Sequence, residues 1–415
     1  MKLAPGTPLE TTLAFGPDAL KSVGRLAWAD GTAQLEWSQE IMKSNLAVDG
    51  GLLYPREPGL LAARGRAFEG LHGFLADSLP EGWGYLVMRK RLAKLGVDIA
   101  SLTPVERLAL VGESGRGALV YQPATTPDDE VDGLDLDALA DETVQILAGE
   151  DSKLGDVLAK LAGGSGGARP KVHVGFGPDG AVSVGGGELP ARHAAWIVKF
   201  RALEDPEDIG PLEEAYAAMA EAAGLRLSEH KLIPAKKGPG YFATRRFDRP
   251  ASDKRLHILS LAGAIESPSH NPSSYDTLLR ATRAITRNAD DVAHAFRRMV
   301  FNVLAHNRDD HTRQHAFLMD AEGDWRLAPA FDLTYAAGPG GEHYLDVEGE
   351  GKTPAREHVE KLGAKHGLSA KEIARVIDEA RAAISDWDAH AEAAGVTASS
   401  KKLVREAHQR VAAAF

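Results

Sequence analysis

The period of the apolar positions changes several times along the chain, and each change predicts an element. Val23–Trp28 and Ala33–Trp37 flank Ala29-Asp30-Gly31-Thr32, a β-hairpin signal. Phe74 to Leu95 reads as helical, with Leu79-Pro80-Glu81-Gly82-Trp83 marking an irregular entry. Val172 to Phe176 is strand-like and is followed by a Pro-Asp-Gly turn at 178–180. The apolar run Ala195-Trp196-Ile197-Val198-Lys199-Phe200 carries a single lysine. Leu212, Tyr216 and Met219 give Leu212 to Ala223 a helical period, and Tyr241 to Arg249 reads as a strand and its exit. Val292, Phe296, Val300 and Leu304 form an i, i+4 stripe, which predicts an amphipathic helix over 290–305. A helical tail is expected from Lys371 to Phe415.

Residues 123–137 are polar, acidic and proline-containing, and suggest a boundary there. The pattern then falls into a small mixed unit over 1–125, a glycine-rich and strand-bearing segment over 126–249, and a mainly helical one over 250–415. There are no internal repeats. At 415 residues, 44% hydrophobic and 26% charged, the chain has an ordinary globular composition. It has no apolar run of about 18 residues and no charged-then-apolar leader, so neither a membrane span nor secretion is expected. The absence of cysteine excludes disulfides and thiolate metal sites and fits a reducing cytoplasm. A formal net charge of −11 makes the protein a poor general binder of nucleic acid and fits a basic partner.

The segment from His306 to Tyr335 changes this picture most. Two polar-acidic clusters, centred on Asp309 and Asp332, flank what reads as a hairpin. A loop carboxylate, a hairpin and a second carboxylate is how a protein kinase places its catalytic base and its magnesium ligand. Phosphoryl transfer also needs the phosphates held and their charge neutralised. Upstream, Ala162 to Lys171 is a glycine-rich stretch whose backbone N–H groups can approach phosphates. Lys199 lies in an apolar strand, where an ammonium needs an anion such as a phosphate or a helix glutamate; Glu213 and Glu214 open the next helix. Each part has a plainer explanation: a linker, a lysine reaching water, a hydrophilic loop, an Asx turn. All four in this order are harder to explain that way. A rival arrangement would use His306, His311 and His315 with Asp309, Asp310 and Asp332 to bind a metal for hydrolysis or nuclease chemistry, but no His-Glu-x-x-His spacing supports it.

With these residues in view, the chain resembles the HipA-type serine/threonine kinases, the toxins of bacterial toxin–antitoxin modules. The resemblance runs through seven segments in order: Leu79-Pro80-Glu81-Gly82-Trp83-Gly84, Gly112 to Leu119, Gly166-Gly167-Ala168-Arg169-Pro170-Lys171, Trp196-Ile197-Val198-Lys199, Arg246-Phe247-Asp248-Arg249, Asn307 to His311, and Pro329-Ala330-Phe331-Asp332-Leu333. It implies an α+β, two-lobed, protein-kinase-like fold with a mixed N-lobe and a mainly helical C-lobe. It implies ATP and Mg2+ as cofactors. Gly166, Gly167 and Ala168 would cradle phosphates, Lys199 would bind them with Glu213 as its partner, and His311 would lie near them. Phe247 would line the adenine pocket, Asp309 would be the catalytic base, and Asp332 would ligate the metal. The family's members phosphorylate translation components, notably aminoacyl-tRNA synthetases. They are restrained by a helix-turn-helix antitoxin, through which they meet DNA only indirectly.

Three positions depart from the family pattern. Gln314 stands where the second metal ligand is usually Asn, keeping the carbonyl on a side chain one methylene longer, so a looser metal site is expected. A degenerate kinase fold that binds nucleotide or a partner without turnover is the alternative this position raises. Gly164 occupies the usual place of a regulatory serine, leaving Ser165 as the candidate autophosphorylation site. Arg245 replaces a frequent hinge glutamate, with little expected loss because hinge recognition is mainly through backbone.

Overall fold

The computed structural model describes residues 3, 7–125, 134–150, 154–162, 167, 169–185 and 188–415. Contacts divide the chain into two compact units. The first holds residues up to Asp205 with Ala243–Leu259 and Leu318–Asp324; the second holds Pro206–Phe242, Ser260–Phe317 and Trp325–Phe415. The expected segments 1–125 and 126–249 therefore share the first unit as far as Asp205. One reason is direct: the indole N–H of Trp83 donates to the carbonyl of Lys171 at 3.1 Å.

In the first unit, β1 (Leu9–Ala14), β2 (Leu20–Ala29), β3 (Thr32–Trp37), β4 (Leu60–Ala62) and β5 (Leu119–Gln122) form an antiparallel sheet in the order β4-β3-β2-β1-β5. The expected hairpin is β2–β3. Its two turn residues, Asp30 and Gly31, have φ of 53° and 76°, as a two-residue turn matched to strand twist requires. Leu9, Thr11 and Leu13 alternate inward on β1, as do Ala33, Leu35 and Trp37 on β3. The expected helix over 74–95 is two helices, Gly73–Ala76 and Trp83–Lys94. Pro80 lies in the break, and Gly82 takes φ 50° there, a conformation that a side chain would strain. A second sheet contains β6 (Lys171–Phe176), β7 (Val182–Val184) and β8 (Ala194–Lys199) in the order β7-β6-β8, all antiparallel. The strand Tyr241–Arg245 joins β8 by pairing Ala243 with Val198.

The second unit is built around the helix Ala289–Leu304. Asn288 caps it by accepting from the Asp290 N–H at 2.9 Å, and Asp290 and Asp291 occupy its positive first turn. The predicted stripe is buried, but so are Met299, Phe301 and Val303. Twelve of its sixteen residues are buried, which makes it a core helix, not a half-exposed one. Tyr275–Thr286, Ala370–Ser385 and Ala398–Ala412 pack around it. From Ile209–Ala222, Tyr216 stacks edge-on against Trp387 with centroids 5.5 Å apart and donates its hydroxyl to the Ala305 carbonyl at 2.8 Å. The expected C-terminal tail is three helices, Ala370–Ser385, Trp387–Ala394 and Ala398–Ala412. Gly395, at φ 80°, ends the second of these, and Thr397 caps the third. Among the described residues, no helix is long and apolar enough to cross a membrane.

Candidate active site

The core helix ends at Leu304, and the chain turns at His306, whose φ is 53°. The His306 ring stacks on Tyr335 at 5.3 Å, and its Nδ1 faces the Ala336 carbonyl at 3.2 Å. Burial pushes His306 down to about 4, with Arg308 adding to the effect, so this ring is neutral. Five residues on, His311 caps the short 3-10 helix Thr312–Gln314. Its Nδ1 accepts the Arg313 N–H at 3.2 Å, which leaves Nε2 to carry the proton. That Nε2 stands 3.8 Å from Asp309 Oδ1. The Asp309 side chain is 49% exposed, so an incoming group can reach it.

The 3-10 turn delivers Gln314 between the two acidic clusters. Its Nε2 donates to Asp309 Oδ2 at 3.4 Å and to Asp332 Oδ2 at 3.2 Å. The intervening chain is the expected hairpin, Ala316–Met319 and Trp325–Leu327, closed on the second-unit side by the Ala328 N–H to the Ala316 carbonyl at 2.9 Å. Asp332 itself sits at φ 59°, a left-handed conformation that Asp tolerates better than most residues and that often marks functional sites. Asp309, Gln314 and Asp332 are therefore brought together as the sequence pattern required. Two carboxylates and an amide offer oxygen ligands suited to a hard divalent cation.

Asp310 has a different role from its neighbour. It is fully buried, accepting from the Tyr275 hydroxyl at 2.6 Å, from His343 Nδ1 at 2.8 Å and from the Tyr344 N–H at 2.9 Å. Burial works against its charge, but the hydrogen bond and charge of His343 and the Tyr275 hydroxyl hold the carboxyl below its ordinary range. His315 turns to the Asp310 carbonyl at 3.3 Å and is pushed down to about 3 by burial and by Arg298. His306 and His315 thus face backbone carbonyls. Among the described residues, no group of three or more His, Cys, Asp or Glu side chains is placed to hold a metal ion. The histidine-rich hydrolase arrangement therefore has no support there. Sequence reasoning weighed Asp310 only as a ligand in the histidine-rich metal arrangement and passed over Tyr275 and His343. The Asp309-Asp310 doublet was the available signal, since adjacent carboxylates in a loop can face opposite sides.

In the first unit, Trp83 links two expected motifs. Its backbone N–H donates to the Gly167 carbonyl at 3.0 Å, and its indole N–H donates to the Lys171 carbonyl. Lys171 pairs in register with Lys199 at the end of β8, and both lysines are buried. Arg169 pairs with Asp205 at 3.0 Å. Gly166, Ala168 and Ser165 lie outside the described residues, as does Gly164. Gly167 is described, with φ 81°. Glu213 is buried on Ile209–Ala222 in the second unit, while its neighbour Glu214 pairs with His230 at 3.0 Å.

Phe247 is half-buried in the turn after Tyr241–Arg245, and its flanking residues form a buried ion cluster. Arg246 meets Asp248 through two bonds of 3.0 and 2.7 Å, and Arg249 meets it at 2.9 Å. Asp248 also accepts the Gly117 N–H at 2.8 Å, while Arg249 donates to the carbonyls of Gly117 and Gly115. A Cβ on Gly117 would lie 2.8 Å from the Ile258 nitrogen, and its φ is 71°, so glycine is required. The two motifs, Gly112 to Leu119 and Arg246 to Arg249, are therefore halves of one structure.

A mixed unit carrying a glycine-rich stretch and a buried strand lysine, and a helical unit carrying paired carboxylates around a hairpin, define a kinase-like α+β protein. Comparison with known families gives the assignment. Residues 19–122 match the HipA N-terminal domain, and residues 163–387, more than half of the chain, match the HipA-like C-terminal domain. The chain belongs to the HipA family. Among solved structures it is similar to HipA of Shewanella oneidensis MR-1, from a toxin–antitoxin complex with HipB and operator DNA. That match covers 98% of this chain and 96% of that one, with 16% identity and a TM-score of 0.66, a likeness of fold. A match to the proinflammatory kinase CtkA of Helicobacter pylori covers 48% of this chain and 90% of that one at 13% identity; its TM-score of 0.31 is too low to support any argument. No curated protein matches the chain significantly by sequence.

Proposed function

We propose that this chain is an ATP- and Mg2+-dependent serine/threonine protein kinase. The observation that carries this reading is the bridging of Asp309 and Asp332 by the amide of Gln314. In this reading Asp309, half-exposed on its loop, accepts the proton of the acceptor hydroxyl. Asp332 and Gln314 would hold Mg2+, which when bound neutralises phosphate charge. Lys199, with Glu213 as its partner, and the backbone around Gly166, Gly167 and Ala168 would hold the phosphates, with His311 close to them and Phe247 against the adenine. Trp83 supports this assignment by fixing Gly167 and Lys171.

The cellular role that follows is that of a toxin which arrests growth by phosphorylating a translation component such as an aminoacyl-tRNA synthetase. Its antitoxin would be a helix-turn-helix protein through which the complex reaches operator DNA, by analogy with the Shewanella complex of HipA, HipB and operator DNA. The net charge of −11 suits a basic partner of that kind. The test is phosphoproteomics of cells expressing the chain beside an Asp309→Asn control, with purified protein assayed in parallel for ATP-dependent labelling. New phosphoserine or phosphothreonine on a translation protein, absent in the control, is the expected result. Phosphotransfer that survives both Asp309→Asn and Lys199→Ala unchanged would overturn the assignment.

A further inference from the structure

The chain beyond Asp332 comes back to the loop that carries Asp309 and is fastened along it. Asn307 bridges Ala336, the Ala336 N–H donates to the His306 carbonyl at 3.2 Å, and the Arg308 N–H donates to the Ala336 carbonyl at 3.3 Å. The Arg308 guanidinium donates to the carbonyl of Gly341 and, at 2.8 Å, to that of Lys352. Asp310 closes the contact: Oδ1 accepts the Tyr344 N–H at 2.9 Å, and Oδ2 faces His343 Nδ1 at 2.8 Å. An ionised carboxylate only accepts, so His343 donates. From the other side the Tyr275 hydroxyl donates to Oδ2 at 2.6 Å and itself accepts from Asn302 Nδ2 at 3.0 Å.

A fully buried carboxylate is costly unless its lone pairs are filled. Two of the three donors that fill those of Asp310 come from residues 343 and 344, so the folded loop stabilises the segment as much as the reverse. In kinases generally, a segment of this kind is often ordered only after phosphorylation, when a new anion pairs with arginines. Here the anion is already present, on the loop, and the donors are on the segment.

We infer that Asp310 and His343 form a built-in anchor that orders residues 336–344 beside Asp309 without any modification, which makes both of them positioning residues for the acceptor. The acceptor's identity as a substrate rests on the kinase reading; the anchor does not. The experiment compares phosphatase-treated wild type, His343→Ala, His343→Asn and Glu379→Ala. The last breaks the remote Arg297–Glu379 ion pair and serves as a stability control. Hydrogen exchange across 336–344 and the separate KM values for ATP and acceptor are measured in each. In wild type the Tyr344 amide exchanges slowly. His343→Ala accelerates it roughly 10–100-fold, the scale of one lost charge-assisted hydrogen bond. The same change raises the acceptor KM while the ATP KM stays put. His343→Asn, whose amide N–H can replace Nδ1–H, restores both, and Glu379→Ala moves neither. Fast exchange in phosphatase-treated wild type overturns the anchor whether or not His343→Ala folds. So does a His343→Ala protein that behaves like the Glu379→Ala control. If wild type transfers no phosphate at all, the kinase reading fails while the exchange data still decide the anchor.

Discussion

Gln314 Nε2 lies 3.2 Å from Asp332 Oδ2, eighteen residues further along the chain and across a complete hairpin. The same nitrogen reaches Asp309 Oδ2 at 3.4 Å. The longer side chain therefore spans the two carboxylates from its place at the end of the 3-10 turn. Shortening it by Gln314→Asn is expected to lower kcat about tenfold, the effect of one lost hydrogen bond to a charged group. Steady-state phosphotransfer kinetics check this. A rise in kcat would mean that the extra methylene loosens the site.

Trp83 fixes the backbone at Gly167 and at Lys171, the first and last residues of the Gly-Ala-Arg-Pro-Lys stretch. Trp83→Phe keeps the ring but removes the indole donor, leaving the Lys171 carbonyl one partner short at a cost of about 1 kcal/mol. The expected outcome is a raised ATP KM with kcat changed less, read from nucleotide titrations. A protein with normal nucleotide affinity and only a lower melting temperature would confine Trp83 to packing.

Asp248 holds two buried guanidiniums and the Gly117 N–H. Burial alone would raise its pKa, but Arg246 and Arg249 hold it far below the ordinary carboxylate range. Its stabilising contribution is therefore complete above an unfolded pKa of about 3.9 and is lost as pH falls below that value. Asp248→Asn leaves two arginines buried without their counter-charge and should destabilise by about 3–5 kcal/mol at neutral pH. Urea denaturation followed by a first-unit probe such as Trp83 fluorescence measures it.

Buried histidines set a second acid limit. Burial pushes His408 and His257 down to about 4 and, with Arg298, His315 to about 3. Below about pH 6.5 the unfolded chain takes up protons that these folded rings refuse, so stability falls as pH drops from about 6.5 toward 4. Each such group can contribute up to about 1.4 kcal/mol per pH unit. His408→Gln retains an amide that can face the Ala305 carbonyl but does not titrate. Thermal melts across this range should show a shallower slope for His408→Gln; an unchanged slope would remove His408 from the explanation.

What could be read from the sequence divides by distance along the chain. The Asp309–hairpin–Asp332 arrangement and the helix over 290–305 are local patterns, and the structure contains both. Punctuation was harder to weigh: Pro80 and Gly82 separate two helices where one was expected, and Gly395 helps to divide the tail. The contacts between Asp248 and Gly117, or Trp83 and Lys171, left no trace because no period connects residues so far apart. Asp310 was concealed by its neighbour, since identical side chains in sequence differ only in which way the loop turns them.

The Trp83–Gly167 hydrogen bond joins residue ranges that family profiles treat as separate domains, 19–122 and 163–387. A fragment cut between those ranges would retain Gly167 but lose the Trp83 N–H that its carbonyl accepts. If the kinase reading holds, the N-terminal domain is therefore a part of the nucleotide-site scaffold, and anyone dissecting this protein into an independent catalytic piece should expect to have to carry it along.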